Sequence, residues 1–173
     1  DMLKMLLAIH VVGGSTALLS MFIPLVSRKG GVTHRRAGWV FVAAMIIVTV
    51  TALLLSGHRF LTDHSEDGRV AGAFLFYVGL LTGAGVSAGI RVLAAKKRTG
   101  IHRNAWDLSV ATLLTAGGLL LAAYGLAIGQ ALLIAFSIIG VLNGGGQLAY
   151  WLRPPGGPMH WWRTSAPAGW NGS

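Results

Sequence analysis

Five long apolar runs set the limits on what this 173-residue chain can fold into; they fall at roughly 3–26, 38–57, 70–94, 108–128 and 131–152. The hydrocarbon core of a bilayer is about 30 Å thick and takes about 20 helical residues to cross, and a helix satisfies its own backbone polar groups there. Each run is long enough to do so. A soluble domain carries about 25% charged residues, whereas this chain has 11% charged and 54% hydrophobic residues. The expectation is an all-α polytopic transmembrane helical bundle, one domain over residues 1–163 with an irregular tail at 164–173. The first run is too long for a signal peptide, and no small-residue cleavage site precedes Ser27-Arg28-Lys29, so it reads as a retained helix. Only Ile128-Gly129-Gln130 separates the last two runs, which forces an antiparallel hairpin.

The net charge of +9 raises nucleic acid as a partner, but the basic residues lie in short clusters between apolar runs rather than along one helix face. No nucleic-acid partner is expected. Of the 14 Lys and Arg residues, 11 fall on one side of the threaded chain: Arg28, Lys29, Arg35 and Arg36, then Arg91, Lys96, Lys97, Arg98 and Arg103, then Arg153 and Arg163. The other side holds Lys4, Arg59 and Arg69, with the acids Asp1, Asp63, Glu66 and Asp67. Because basic loops stay in the cytoplasm, the N-terminus is expected outside, with the first and third loops cytoplasmic. All 6 tryptophans, Trp39, Trp106, Trp151, Trp161, Trp162 and Trp170, fall on the basic side and read as an interfacial belt.

A short pattern recurs on that side. Gly31-Val-Thr-His34-Arg35-Arg36 precedes the second run, Gly100-Ile-His102-Arg103 precedes the fourth, and Gly157-Pro-Met-His160 follows the fifth. Each odd run is also rich in small residues, so the chain reads as three repeated hairpins with the third incomplete. A sixth helix is expected after Arg163, but TSAPAGWNGS is too short and polar to span, which suggests a fragment or an altered C-terminus. His10-Val-Val-Gly13 with Ala17-Leu18-Leu19, followed by Lys29-Gly30-Gly31-Val-Thr-His34-Arg35-Arg36-Ala-Gly38, resembles an uncharacterised family of bacterial multi-pass membrane proteins, a domain of unknown function. The resemblance implies an inner-membrane helical bundle and supplies no catalytic residues.

Side chains able to do chemistry are few. There is no cysteine, which excludes thiolate metal sites and disulfides, and no Walker loop or nucleotide fingerprint is present. His34, Arg35, Arg36, His102, Arg103 and His160 are placed at headgroup depth, where a basic residue gains about 1 kcal/mol beside an anionic leaflet. They fit contact with lipid, with a phosphate-bearing ligand or with an acidic protein partner. Gly79/Gly83, Gly85/Gly89, Gly125/Gly129 and Gly140/Gly144 have the four-residue spacing that lets helices approach closely, within one chain or in a homo-oligomer. Gly144-Gly145-Gly146 invites a kink, with Asn143 and Gln147 flanking it on one helix face.

His10 stands about nine residues into the first run, about 13 Å along it. An ionisable residue at that depth marks a functional site, unless it is a neutral imidazole bonded to a neighbouring hydroxyl or carbonyl. Three functions remain open: a binding or structural bundle that engages anionic lipid or a protein partner through its cytoplasmic loops; a redox protein carrying haem or quinone at His10; and a small-solute transporter with a polar site at His10, Asn143 and Gln147. Haem lacks an obvious second axial histidine, because the other five lie toward the run ends or in the loops. No Ser-His-Asp or paired-carboxylate set lies in the membrane core, so an enzyme is not the favoured reading.

Overall fold

The computed structural model describes residues 2–94 and 104–153. Among these residues it contains five α-helices: α1 (Met2–Val26), α2 (Val32–Thr62), α3 (Glu66–Ala94), α4 (Ala105–Ala127) and α5 (Ala131–Leu152). All five are long and apolar enough to cross a membrane. Leu19, Leu120 and Leu142 are 72–74% exposed, an apolar surface far beyond what water tolerates and the ordinary condition of a helix in lipid. The bundle is all-α and membrane-spanning, as the apolar runs require.

The helices differ from those runs at their ends. The second run ends at 57 and begins at 38, yet α2 extends from Val32 to Thr62. Its 31 residues make a rod about 46 Å long, so both ends protrude past the hydrocarbon, carrying His34, Arg35 and Arg36 on helix rather than loop. α3 begins earlier than expected for a local reason. Ser65 accepts the Gly68 N–H at 3.0 Å in an N-cap, and Glu66 and Asp67 complement the helix dipole. α4 is capped by Asn104, whose side-chain carbonyl accepts the Trp106 N–H at 2.9 Å.

Packing follows the small residues. α1 lies along α2 through His10, Gly13, Ala17 and Ser20, with Gly13 seated beside Ile47 and Val48. α2 meets α3 through Gly79, which faces Ala52 and Leu53, and Gly83, which faces Thr49. Two polar bonds join these helices: the Ser56 hydroxyl donates to Gly72 O at 2.9 Å, and the Thr49 and Thr82 hydroxyls meet at 3.1 Å. α4 and α5 form the tight hairpin expected of them. Gly129 takes a positive φ of 67°, Gln130 N–H reaches Gly125 O at 2.8 Å and Gly129 N–H reaches Leu126 O at 3.4 Å, a Schellman stop that turns the chain within three residues.

α3 joins the two halves, and Tyr77 makes the joint. Its ring is buried in the core with Leu114, Leu121 and Leu133, and its hydroxyl donates to Leu114 O at 3.0 Å. The hydroxyl occupies a slot floored by Gly118 of α4 and Gly140 of α5, where any added Cβ would collide with it. The glycine spacings at Gly79/Gly83 and Gly140/Gly144 therefore serve packing inside this chain, whereas Gly85 and Gly89 face open space.

Three sequence-derived expectations change. α3 packs extensively on α2 and only sparsely on α4, so the pairs α1–α2 and α3–α4 are not equivalent hairpins. No break in helical structure occurs at Gly144–Gly146, because Gly144 lets α5 press against Thr115 and the Ala111 carbonyl of α4, which supports the helix through the glycines. Trp151 is 1% exposed and so belongs to the interior rather than to an interfacial belt, in contrast to Trp39 at 67% and Trp106 at 61%. His102, Arg103, His160, Trp161, Trp162, Trp170 and the tail at 164–173 lie outside the described residues.

Candidate functional site

His10 projects from the α1 face that lies on α2, and its Nδ1 is 2.8 Å from Thr51 Oγ1. The Thr51 hydroxyl is itself 2.7 Å from Ile47 O and 3.1 Å from Val48 O. A hydroxyl has one proton, and the short approach to Ile47 O commits it to the helix carbonyls. The imidazole must then be the donor, Nδ1–H to Thr51 Oγ1, which leaves Nε2 as the nitrogen with a free lone pair. This arrangement resolves one side of the alternative posed by the sequence: a neighbouring hydroxyl does bond His10. Thr51 had no signal of its own in the sequence, since threonine is common in apolar helices and its partner lies 41 residues away.

Asn143 and Gln147 do meet each other, as their spacing requires, with Gln147 Nε2 donating to Asn143 Oδ1 at 2.7 Å. They do not meet His10. α1 packs on α2 alone, α5 packs on α4 and α3, and Asn143 is exposed on the outer face of α5. The pocket expected to be shared by His10, Asn143 and Gln147 is therefore not formed by the described residues. The physical reason is the order of packing: α2 and α3 stand between the two helices.

The antiparallel succession of helices brings Arg28 and Lys29 of the α1–α2 loop, the start of α2, the last turns of α3, the start of α4 and the end of α5 to one end of the bundle. Arg35 and Arg36 are exposed in the first turns of α2 and make no ion pair among the described residues. His34 is half-buried, and its Nδ1 is enclosed without a hydrogen-bond partner. Arg91 of α3 forms an ion pair with Asp107 in the first turn of α4, and Asp107 is 4% exposed. The sequence offered one clue to that pair: Asp107 is the only acid of the 5 on the basic side of the chain.

The opposite end balances its charges among the described residues, Asp63, Glu66 and Asp67 against Lys4, Arg59 and Arg69. Arg59 pairs with Asp63 at 3.6 Å. The Ser65 hydroxyl and backbone N–H both donate to the Asp63 carboxylate, which together with Arg59 holds it below the usual carboxylate range. Among the described residues no group of three or more His, Cys, Asp or Glu side chains could hold a metal ion.

These features define a class, the all-α membrane protein, in which Arg28, Lys29, Arg35 and Arg36 gather at one end and His10 is bonded to Thr51 between α1 and α2. No protein-family model, no curated protein and no solved structure matches the chain, so what lies beyond that class has to be argued from the site itself.

Proposed function

We propose that the chain is an integral protein of the bacterial cytoplasmic membrane that binds anionic phospholipid at its basic end, and that this end faces the cytoplasm. One observation carries the reading: Arg35 and Arg36 stand exposed in the first turns of α2 with no acidic partner among the described residues, at the end that also bears Arg28 and Lys29. A guanidinium at headgroup depth gains about 1 kcal/mol from an anionic leaflet, and its fork matches a phosphate. The asymmetry of Lys and Arg supports the orientation. His102, Arg103 and His160 extend the same basic end in this reading, and an acidic protein partner or a second copy would meet the same charges. The test compares protein reconstituted in nanodiscs of phosphatidylcholine with and without phosphatidylglycerol. The anionic lipid should raise the thermal midpoint of the wild type and not that of an Arg28/Lys29/Arg35/Arg36→Gln variant; an equal rise in both would count against the reading.

A second reading keeps His10 as a ligand for haem or quinone. Its support is the tautomer, since an Nδ1–H donated to Thr51 orients the ring and leaves the Nε2 lone pair free, the arrangement seen where histidine binds a metal. An absorption spectrum decides between the two: a Soret band lost on His10→Ala would establish haem binding. The transporter reading has no shared pocket at His10, Asn143 and Gln147 to support it.

A further inference from the structure

A groove of about 480 Å³ runs between α1 and α2 on the side of α2 turned away from α3. Ala8, Gly13 and Thr16 form one wall, and Val40, Ala43 and Ile47 form the other. Thr16 is the one lining residue with a polar side chain, and its hydroxyl is donated back to Val12 O at 2.8 Å. The lining thus offers nothing to a polar solute. Its size falls within the range of about 300–1,000 Å³ typical of small-molecule pockets, and its small residues make the hollow: alanine and glycine stand where larger side chains fill the neighbouring surface.

Arg36 lies on the same strip of α2 as the groove wall. Arg36, Val40, Ala43 and Ile47 follow at i, i+4, i+7 and i+11, the spacing of one helix face. Arg36 is exposed and has no ion pair among the described residues. Its Cα is about 6 Å below that of Val40 along the helix, one turn beyond that end of the groove, and a long arginine side chain extends toward the headgroups from there. The α1 wall, from Ala8 to Thr16, covers about 12 Å at the middle of that helix, and the α2 wall starts at Val40 and reaches Ile47, about 16 Å from Arg36 along the helix. Arg35 points about 100° away round the helix.

We propose that this groove and Arg36 together form a site for one anionic phospholipid of the leaflet at the basic end, an acyl chain lying between α1 and α2 and the phosphate on the Arg36 guanidinium. Charge complementarity selects this occupant. An apolar trough alone would accept any chain, but a cation one turn beyond its end, with no ion pair among the described residues, favours an anion at headgroup height, and an anionic phospholipid supplies both parts. The inference rests on the lipid reading above and narrows it from a basic end to one groove and one arginine.

Native mass spectrometry of the full chain, titrated with phosphatidylglycerol and with phosphatidylcholine, tests it. The wild type should retain one phosphatidylglycerol more tightly than the rest. Arg36→Gln should weaken that binding about fivefold, the loss expected for one basic residue at an anionic surface, whereas Arg35→Gln should leave the tight site intact. Ala43→Phe fills the groove from an exposed position and should abolish the tight site, with Ala43→Ser as the variant that keeps the groove open and the lipid bound. Should Ala43→Phe not fold, Ala8→Leu fills the opposite wall. Wild-type phosphatidylglycerol binding in the folded groove-filling variant would overturn the proposal, as would a groove-filling variant that turns a dimer into a monomer with lipid binding unchanged, which would give the groove to a second copy. If the four-residue Gln variant loses the lipid while the groove variants keep it, the narrower site fails and the broader reading stands; if the four-residue variant also keeps it, both fail.

Discussion

Gly140→Ala places a methyl group where the Tyr77 hydroxyl sits. An added Cβ there would collide with that hydroxyl and stand 2.6 Å from the ring Cζ and 2.9 Å from Cε1, with Tyr77 itself held by its bond to Leu114 O. Overpacking of this kind costs about 1–3 kcal/mol. Alanine returns up to about 1 kcal/mol through its better helix propensity. The net expectation is a loss of about 0–3 kcal/mol, and of about 1–3 kcal/mol relative to a glycine-to-alanine change that meets no obstacle. Gly85→Ala is the internal control, because nothing lies within 4 Å of a Cβ at that position, and it should be neutral or stabilising by up to about 1 kcal/mol. Tyr77→Phe removes the colliding oxygen together with an interhelical hydrogen bond worth about 0.6–1.7 kcal/mol in a membrane. Combined with Gly140→Ala, it should cost less than the sum of the two single changes. Reversible unfolding in mixed micelles, followed by circular dichroism against the fraction of denaturing detergent, measures all four variants. If Gly140→Ala proves as benign as Gly85→Ala, or if the two changes add without coupling, Tyr77 is not the wedge that joins α3 to the α4–α5 hairpin.

Other expectations concern the polar contacts between helices. Thr51→Val keeps the volume of the side chain but leaves the His10 Nδ1 donor without its acceptor, so it should destabilise the α1–α2 pair by about 1–3 kcal/mol, read from the same unfolding curve; no change would mean that His10 has another partner. Arg91→Ala and Asp107→Asn each remove the ion pair that links α3 to the first turn of α4, so each should lower the unfolding midpoint, and two variants as stable as the wild type would show that the pair does not hold α3 to α4. At the α2–α3 corner, the lowered value for Asp63 means that its contribution is complete above the ordinary carboxylate range and disappears as pH falls through the lowered folded value. Amide exchange in the α2–α3 corner should therefore speed up as pH is taken below about 4, after correction for intrinsic rates, and Ser65→Ala should shift that transition upward; an unshifted transition would remove the serine from the cause.

The sequence shows the number of helices and their sequential order because hydrocarbon thickness imposes a length that few other structures demand. The ends are less visible, since the apolar run marks the part of α2 inside the membrane and not the helical turns at Val32–Ala37 or His58–Thr62 that protrude from it. Packing partners are hidden for a different reason. In lipid a helix is apolar on every side, so no amphipathic stripe tells which face meets a neighbour. The glycine spacings at Gly79/Gly83 and Gly140/Gly144 gave those faces away, but the identical spacing at Gly85/Gly89 points to open space, and Tyr77, which ties three helices together, has no periodic signature. Of the candidate site, the Asn143–Gln147 bond follows from spacing on one helix, whereas the separation of that pair from His10 follows from α2 and α3 lying between, which local pattern does not encode. Trp151 shows the same limit: its position at the basic end suggested an interface, and its burial depends on packing that the sequence does not display.

Orientation tests the account most directly, because the lipid site, the charge asymmetry and the reading of the two ends all depend on which end lies in the cytoplasm. Alkaline phosphatase fused after Asp63, in the α2–α3 connection, should be exported and active, and the same enzyme fused after Lys29, in the α1–α2 connection, should be inactive. Activity at Lys29 with none at Asp63 would place Arg35 and Arg36 outside and contradict the proposal at its base.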